Sequence, residues 1–125
     1  MIYTSYFAML KHLPSNIIPI SICGKAPDWY RGLQYKKLAP KYDFFMQWKE
    51  NHDNDYYIKC FNERVLAHLD PRSVYTDLWH MCDNTMQTEP DICLICYEKP
   101  SDFCHRHLVA NWFREHGVAC QEYSK

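Results

Sequence analysis

The sequence predicts a single three-layer α/β domain built on a small, mostly parallel sheet of about four strands. Three observations predict it. Short apolar runs rich in β-branched residues alternate with helical segments, the pattern that lays helices over a parallel sheet. Those runs are continuously apolar rather than alternating, as strands buried on both faces are. The chain's 125 residues, 47% apolar and 16% aromatic, can build one core without help from disulfides or a structural metal.

The first strand is expected at Ile2-Tyr3-Thr4-Ser5-Tyr6 and the second at Ile17 to Ile22, with Phe7 to Leu13 between them as a crossover helix. Pro19 has no N–H to give a neighbour, so the second strand belongs near a sheet edge, or Pro19 at a bulge. Gly24, Pro27, Gly32 and Pro40 punctuate residues 23 to 40, which show no sustained period and are expected to form a long, functional loop. Tyr42 to Glu50 has helical character. Asp53 to Leu69 sets Tyr57, Phe61, Val65 and Leu69 on one helical face, and Ser73 to Met86 repeats the pattern more weakly before a loop at Thr88 to Pro90. Ile92 to Tyr97 is the most apolar run and the expected central strand. Ser101 is placed as the N-cap of a last helix reaching His116, which Gly117 closes ahead of a short final strand at Val118 to Glu122.

The net charge of −1 conceals an asymmetry. The first 41 residues hold six cations against Asp28 alone, and five of the six lie from Lys25 to Lys41 among Trp29, Tyr30 and Tyr35. Cations interleaved with rings suit a phosphate and a flat base, although a solvated loop has the same composition and one cationic loop is not a nucleic-acid surface. No apolar run is long enough to span a bilayer, and seven cysteines, an odd number, point to reduced thiols in the cytoplasm.

Three glycines rule out a Walker loop and a Gly-rich dinucleotide fingerprint; the His-x-Glu of zinc deaminases and the Gly-x-Ser-x-Gly elbow are also missing. The dense motif is Cys93-x-x-Cys96 followed by Cys104-His105-Arg106-His107. Its residue types would suit zinc, but Cys93 and Cys96 on one strand point to opposite faces, so no metal ligand set and no cofactor are assigned. Cys104, as N3 of a helix capped by Ser101 and beside Arg106, has the surroundings that favour a thiolate or hold an anion. Simple burial of Cys104 is the plainer alternative. His105 leans toward the sheet, as a hydrogen-bonded core histidine would. Glu98 ends the central strand, where it can act as a base or accept from a ribose hydroxyl, or merely pair with Arg106.

Leu94-Ile95-Cys96-Tyr97-Glu98-Lys99-Pro100 followed by Phe103-Cys104-His105-Arg106-His107-Leu108 resembles the signature of domain-of-unknown-function family 488. The Thr4-Ser5 and Ile20-Ser21-Ile22 strands, the Leu38-Ala39-Pro40 turn and the Tyr57, Leu66 and Leu69 helix resemble its bacterial and phage subgroup. The resemblance implies a Rossmann-like sheet and singles out Cys96, Glu98, Cys104, His105 and Arg106. It supplies no activity, and the Asp-Val-Arg strand end of better known members is replaced here by Ile20-Ser21-Ile22.

With the first strand beside the third, a crevice is expected between Ser5-Tyr6 and Tyr97-Glu98, with loop 24–41 as its lid and the start of the last helix as its floor. The expected function is recognition of a small anionic, nucleotide-like ligand, with Ser5, Tyr6, Ser21, Lys25, Arg31, Cys96, Tyr97 and Arg106 as ligand contacts. The alternatives are an enzyme using Cys104, Glu98 and His105 on such a ligand, and a zinc-stabilised interaction module.

Overall fold

The computed structural model describes residues 1–82 and 91–124. Five strands form one all-parallel sheet: β1 (Ile2–Tyr6), β2 (Ile17–Ser21), β3 (Leu33–Gln34), β4 (Asp91–Cys96) and β5 (Cys120–Glu122), in the order β3-β2-β4-β1-β5. Helices flank it, and the architecture is consistent with a Rossmann-like fold. The most apolar run is indeed central, with β1 beside it at Ile2↔Ile92 through Tyr6↔Cys96.

Both faces of the sheet are covered, which is why its strands carry continuous apolar runs. Ile2, Ile20, Ile92 and Leu94 pack under Phe44, Phe61, Leu78, Val109 and Phe113 from α1 (Tyr42–Asn51), α2 (Asn54–Arg64), α3 (Pro71–Met81) and α4 (His105–Glu115). Ile17, Cys93 and Ile95 pack on the other side against Phe7, Cys23 and Tyr30, with Leu10, Leu13 and Ala26 around them. The crossover after β1 is a 3-10 helix, Phe7–His12. Residues after β2 return over the same side.

Several sequence expectations are refined. Loop 23–40 is not wholly irregular, because it contains β3 and a 3-10 turn at Lys36–Leu38. β3 pairs only with Ile20 and Ser21, so Pro19, which has no N–H to give, lies opposite Cys93 of β4 but beyond the end of β3; Tyr30 Oη, which donates to Leu33 O at 2.7 Å, stands 3.4 Å from the Pro19 carbonyl oxygen. The continuous helix expected over 53–69 breaks after Arg64 into a 3-10 turn at Leu66–His68, which puts both Val65 and Leu66 into the core. Asp53 and Asp70 cap α2 and α3 by accepting from Tyr56 N at 3.1 Å and Ser73 N at 2.9 Å, and Pro71 opens α3 without losing a hydrogen bond. The remainder of the helix expected to reach Met86, and the loop at 88–90, lie outside the described residues.

Ser101 is not the cap of the last helix. Lys99 to Asp102 forms an exposed turn, Asp102 N donating to Lys99 O at 3.0 Å, and the N-cap is Cys104, whose extended backbone (φ −157°, ψ 143°) turns its sulfur inward. A residue held that way cannot be helical, so α4 begins one residue later and Cys104 is not at N3. Gly117 closes α4 with φ +79°, as expected. No helix among the described residues is long and apolar enough to cross a membrane.

Candidate functional site

A cleft of about 660 Å³ opens at the carboxyl ends of β2 and β4. Its walls come from three stretches. Cys23, Gly24 and Lys25 follow β2; Cys96, Tyr97 and Glu98 end and follow β4; Pro40, Tyr42, Phe45 and Lys49 stand on α1 and the turn before it. Cys104 and His105, at the start of α4, complete the lining. The crevice therefore lies one strand over from the β1–β4 gap inferred from sequence.

The cleft's inner end is chemically distinctive. Cys96 and Cys104 are paired as a disulfide, with Cα atoms 7.6 Å apart. His105 Nδ1 lies 3.9 Å from Cys104 Sγ, and its Nε2 lies 2.8 Å from the carbonyl oxygen of Ile22. A carbonyl can only accept, so the Nε2 carries the proton and Nδ1 presents its lone pair to the sulfurs. Burial pushes the His105 pKa down to about 4, which keeps the ring neutral. Cys96 and Cys104 sulfurs and a His105 ring nitrogen lie within 4.8 Å of one another. Cys93 stays out of this group, buried along β4, where burial raises its thiol pKa to about 12.

Arg106 is fully buried, a charge that sequence alone places at a ligand. Its guanidinium forks onto Glu122, with Nε to Oε1 at 3.1 Å and Nη2 to Oε2 at 2.9 Å. The Nη1 donates to Glu98 O at 2.5 Å and to Cys96 Sγ at 3.1 Å. Arg106 also lies 5.8 Å from the centre of the Tyr6 ring, and Thr4 Oγ1 donates to Glu122 Oε1 at 2.7 Å. This arginine ties the ends of β4, β1 and β5 together and does not line the cleft.

The other expected contacts divide. Lys25, Cys96, Tyr97, Glu98, Cys104 and His105 come together around the cleft, and Tyr97 Oη donates to Lys25 O at 2.6 Å. Ser5, Tyr6, Ser21 and Arg31 are not among its lining residues. Ser5 is buried, its Oγ without a hydrogen-bond partner among the described residues; Ser21 Oγ accepts from Cys23 N at 3.3 Å. Arg31 is exposed and donates to the backbone oxygens of Asp28 and Tyr30. Among the lining residues that sequence reasoning passed over, Tyr42, Phe45 and Lys49 share one helix. Their spacing, three and seven apart, sets them on one helical face, and Lys49 Nζ lies 5.3 Å from the Phe45 ring centre.

The fold and this end of the sheet define a parallel α/β domain with a sulfur-lined crevice at the strand ends. The chain belongs to family DUF488: residues 6–117 match the family model described as the active DUF488-N3 subclade. Among curated proteins and solved structures, none matches the chain.

Proposed function

We propose that the cleft recognises a small anionic ligand bearing a flat, nucleotide-like ring, in a protein working in the cytoplasm. One observation carries the reading: the cleft is lined by two lysines, Lys25 and Lys49, together with Tyr42, Phe45 and Tyr97. Tyr42 is 77% exposed and Tyr97 50% exposed, so both keep a ring surface to offer a ligand. The ammonium groups attract charge, the rings stack on a base, and Glu98 can accept from a hydroxyl. Thermal-shift titrations with nucleotides and inorganic phosphate test it. Lys25→Ala and Lys49→Ala should each weaken the stabilisation several-fold and reduce its salt dependence, whereas Arg31→Ala should leave it unchanged. A panel that never stabilises the protein, or equal responses from all three variants, would overturn the reading.

A second reading, chemistry on the ligand by the Cys104 thiol once its disulfide with Cys96 is reduced, is favoured by the neutral Nδ1 of His105 at 3.9 Å from that sulfur. The family model's description as an active subclade agrees with it.

A further inference from the structure

We propose that in the reduced protein Cys96, Cys104 and His105 bind one zinc ion, with the remaining coordination position turned toward the cleft. The proposal deepens the anion-cleft reading and rests on it for what occupies that open position.

The donor set has the composition zinc prefers. Two thiolates and an imidazole are three of the four ligands of a tetrahedral site, and three protein ligands with one open position is the arrangement of zinc sites that act on a ligand. The three donor atoms lie within 4.8 Å of one another. Thiolates on one zinc at about 2.3 Å each sit about 3.8 Å apart, so only small side-chain rotations separate the present arrangement from that one. The backbone agrees. The Cα atoms of Cys96 and Cys104 are 7.6 Å apart, wider than the roughly 4.4–6.8 Å of ordinary disulfides, and suit two sulfurs converging on a common centre.

The surrounding groups are those a metal site needs. The Ile22 carbonyl holds His105 by Nε2 and aims Nδ1 at the sulfurs, as the outer partner of a ligating histidine does. Arg106 Nη1 donates to Cys96 Sγ at 3.1 Å, a hydrogen bond that supports a thiolate. Cys96 and Cys104 are both buried, and two bare thiolates side by side there would repel each other. A dication neutralises the pair. The open position faces a cleft that also holds Lys25 and Lys49, so an anionic oxygen drawn in by the ammonium groups can reach the ion.

The test is a cobalt(II) titration of the fully reduced, chelator-treated chain under an inert atmosphere. One equivalent should develop the absorption bands of tetrahedral thiolate coordination, and zinc should then abolish them by displacement. Cys104→Ser and His105→Gln should each weaken binding by more than about tenfold, and Cys93→Ser should leave it unchanged, with circular dichroism showing that each variant is folded. Where a variant does not fold, the wild-type chain decides: stoichiometric zinc should protect two thiols from a disulfide-exchange reagent. No cobalt bands, undiminished binding by folded Cys104→Ser, or no thiol protection would each overturn the proposal. Lys49→Ala separates the two ideas, because it should weaken phosphate binding several-fold and keep the cobalt spectrum. A normal spectrum in a wild-type protein that binds no anion would sink the cleft reading while leaving the metal site standing.

Discussion

Arg106→Ala should be among the most damaging substitutions in this chain. The guanidinium is wholly buried, whereas the Glu122 side chain it forks onto is 27% exposed. Removing one partner of a buried ion pair costs about 3–5 kcal/mol, and partial access of water to Glu122 puts this pair near the lower figure, about 3 kcal/mol. The variant also leaves the Glu98 carbonyl and the Cys96 sulfur without their donor. Urea unfolding followed by tryptophan fluorescence should show a lower midpoint at unchanged slope, and the melting temperature should fall by roughly 10 °C. Arg106→Lys should recover little, since one ammonium cannot reproduce the fork onto both Glu122 oxygens. A double-mutant cycle with Glu122→Gln isolates the pair, and its coupling should be about 1.5–3 kcal/mol. Loss of under 1 kcal/mol from Arg106→Ala, or strict additivity in the cycle, would refute the assignment of Arg106 to the framework.

Two further outcomes follow from named groups. His105 is held neutral with its pKa near 4 against an ordinary 6.5, so below pH 6.5 the unfolded chain binds a proton that the folded chain refuses. Stability of the metal-free protein should therefore decline from about pH 6.5 to about pH 4, by about 3 kcal/mol from this residue. His105→Gln should flatten that decline in pH-dependent urea titrations, and an identical profile in the variant would count against it. Gly117→Ala meets no neighbouring atom but forces a side chain onto φ +79°, and should cost about 1–2 kcal/mol. Gly24→Ala, also in open space but without positive φ, is the control, and equal losses from the two would remove the backbone explanation.

What the sequence reveals of this molecule depends on the range of the interaction concerned. β1, β2 and β4 are legible because burial on both faces demands continuous apolar runs. β3 is not, since Leu33 and Gln34 are both exposed and are placed by Tyr35 N donating to Ser21 O at 2.8 Å, a contact no local pattern encodes. Tyr42, Phe45 and Lys49 are legible as one face of a helix. That this face walls a cleft depends on where α1 docks. The same limit applies to Arg106, whose partner Glu122 lies in a short final strand that the sequence predicts without showing which side chain it meets. Local patterning also made Ser101 the natural cap; the inward turn of Cys104 toward Cys96 decided otherwise.

Arg106 also accounts for where the cleft opens. A parallel sheet offers a crevice wherever neighbouring strands send their chains to opposite sides, and β4 has such a neighbour on each flank, β1 and β2. The β1 gap is filled. Phe7 follows β1 directly and its ring lies 5.0 Å from that of Tyr97, while the Arg106 guanidinium sits against Tyr6 and bonds the end of β4. After β2 the chain instead passes through Gly24, where even an added Cβ would meet no atom within 4 Å, and the gap stays open. Cys96 stands between the two gaps, its sulfur touching Arg106 on the closed side and Cys104 on the open side. Closing one gap with a buried guanidinium thus holds in place the sulfur that faces the other. Arg106→Ala should therefore loosen the hold on the Cys96 sulfur, read as a changed labelling rate of that thiol in the reduced chain, although the arginine does not line the cleft.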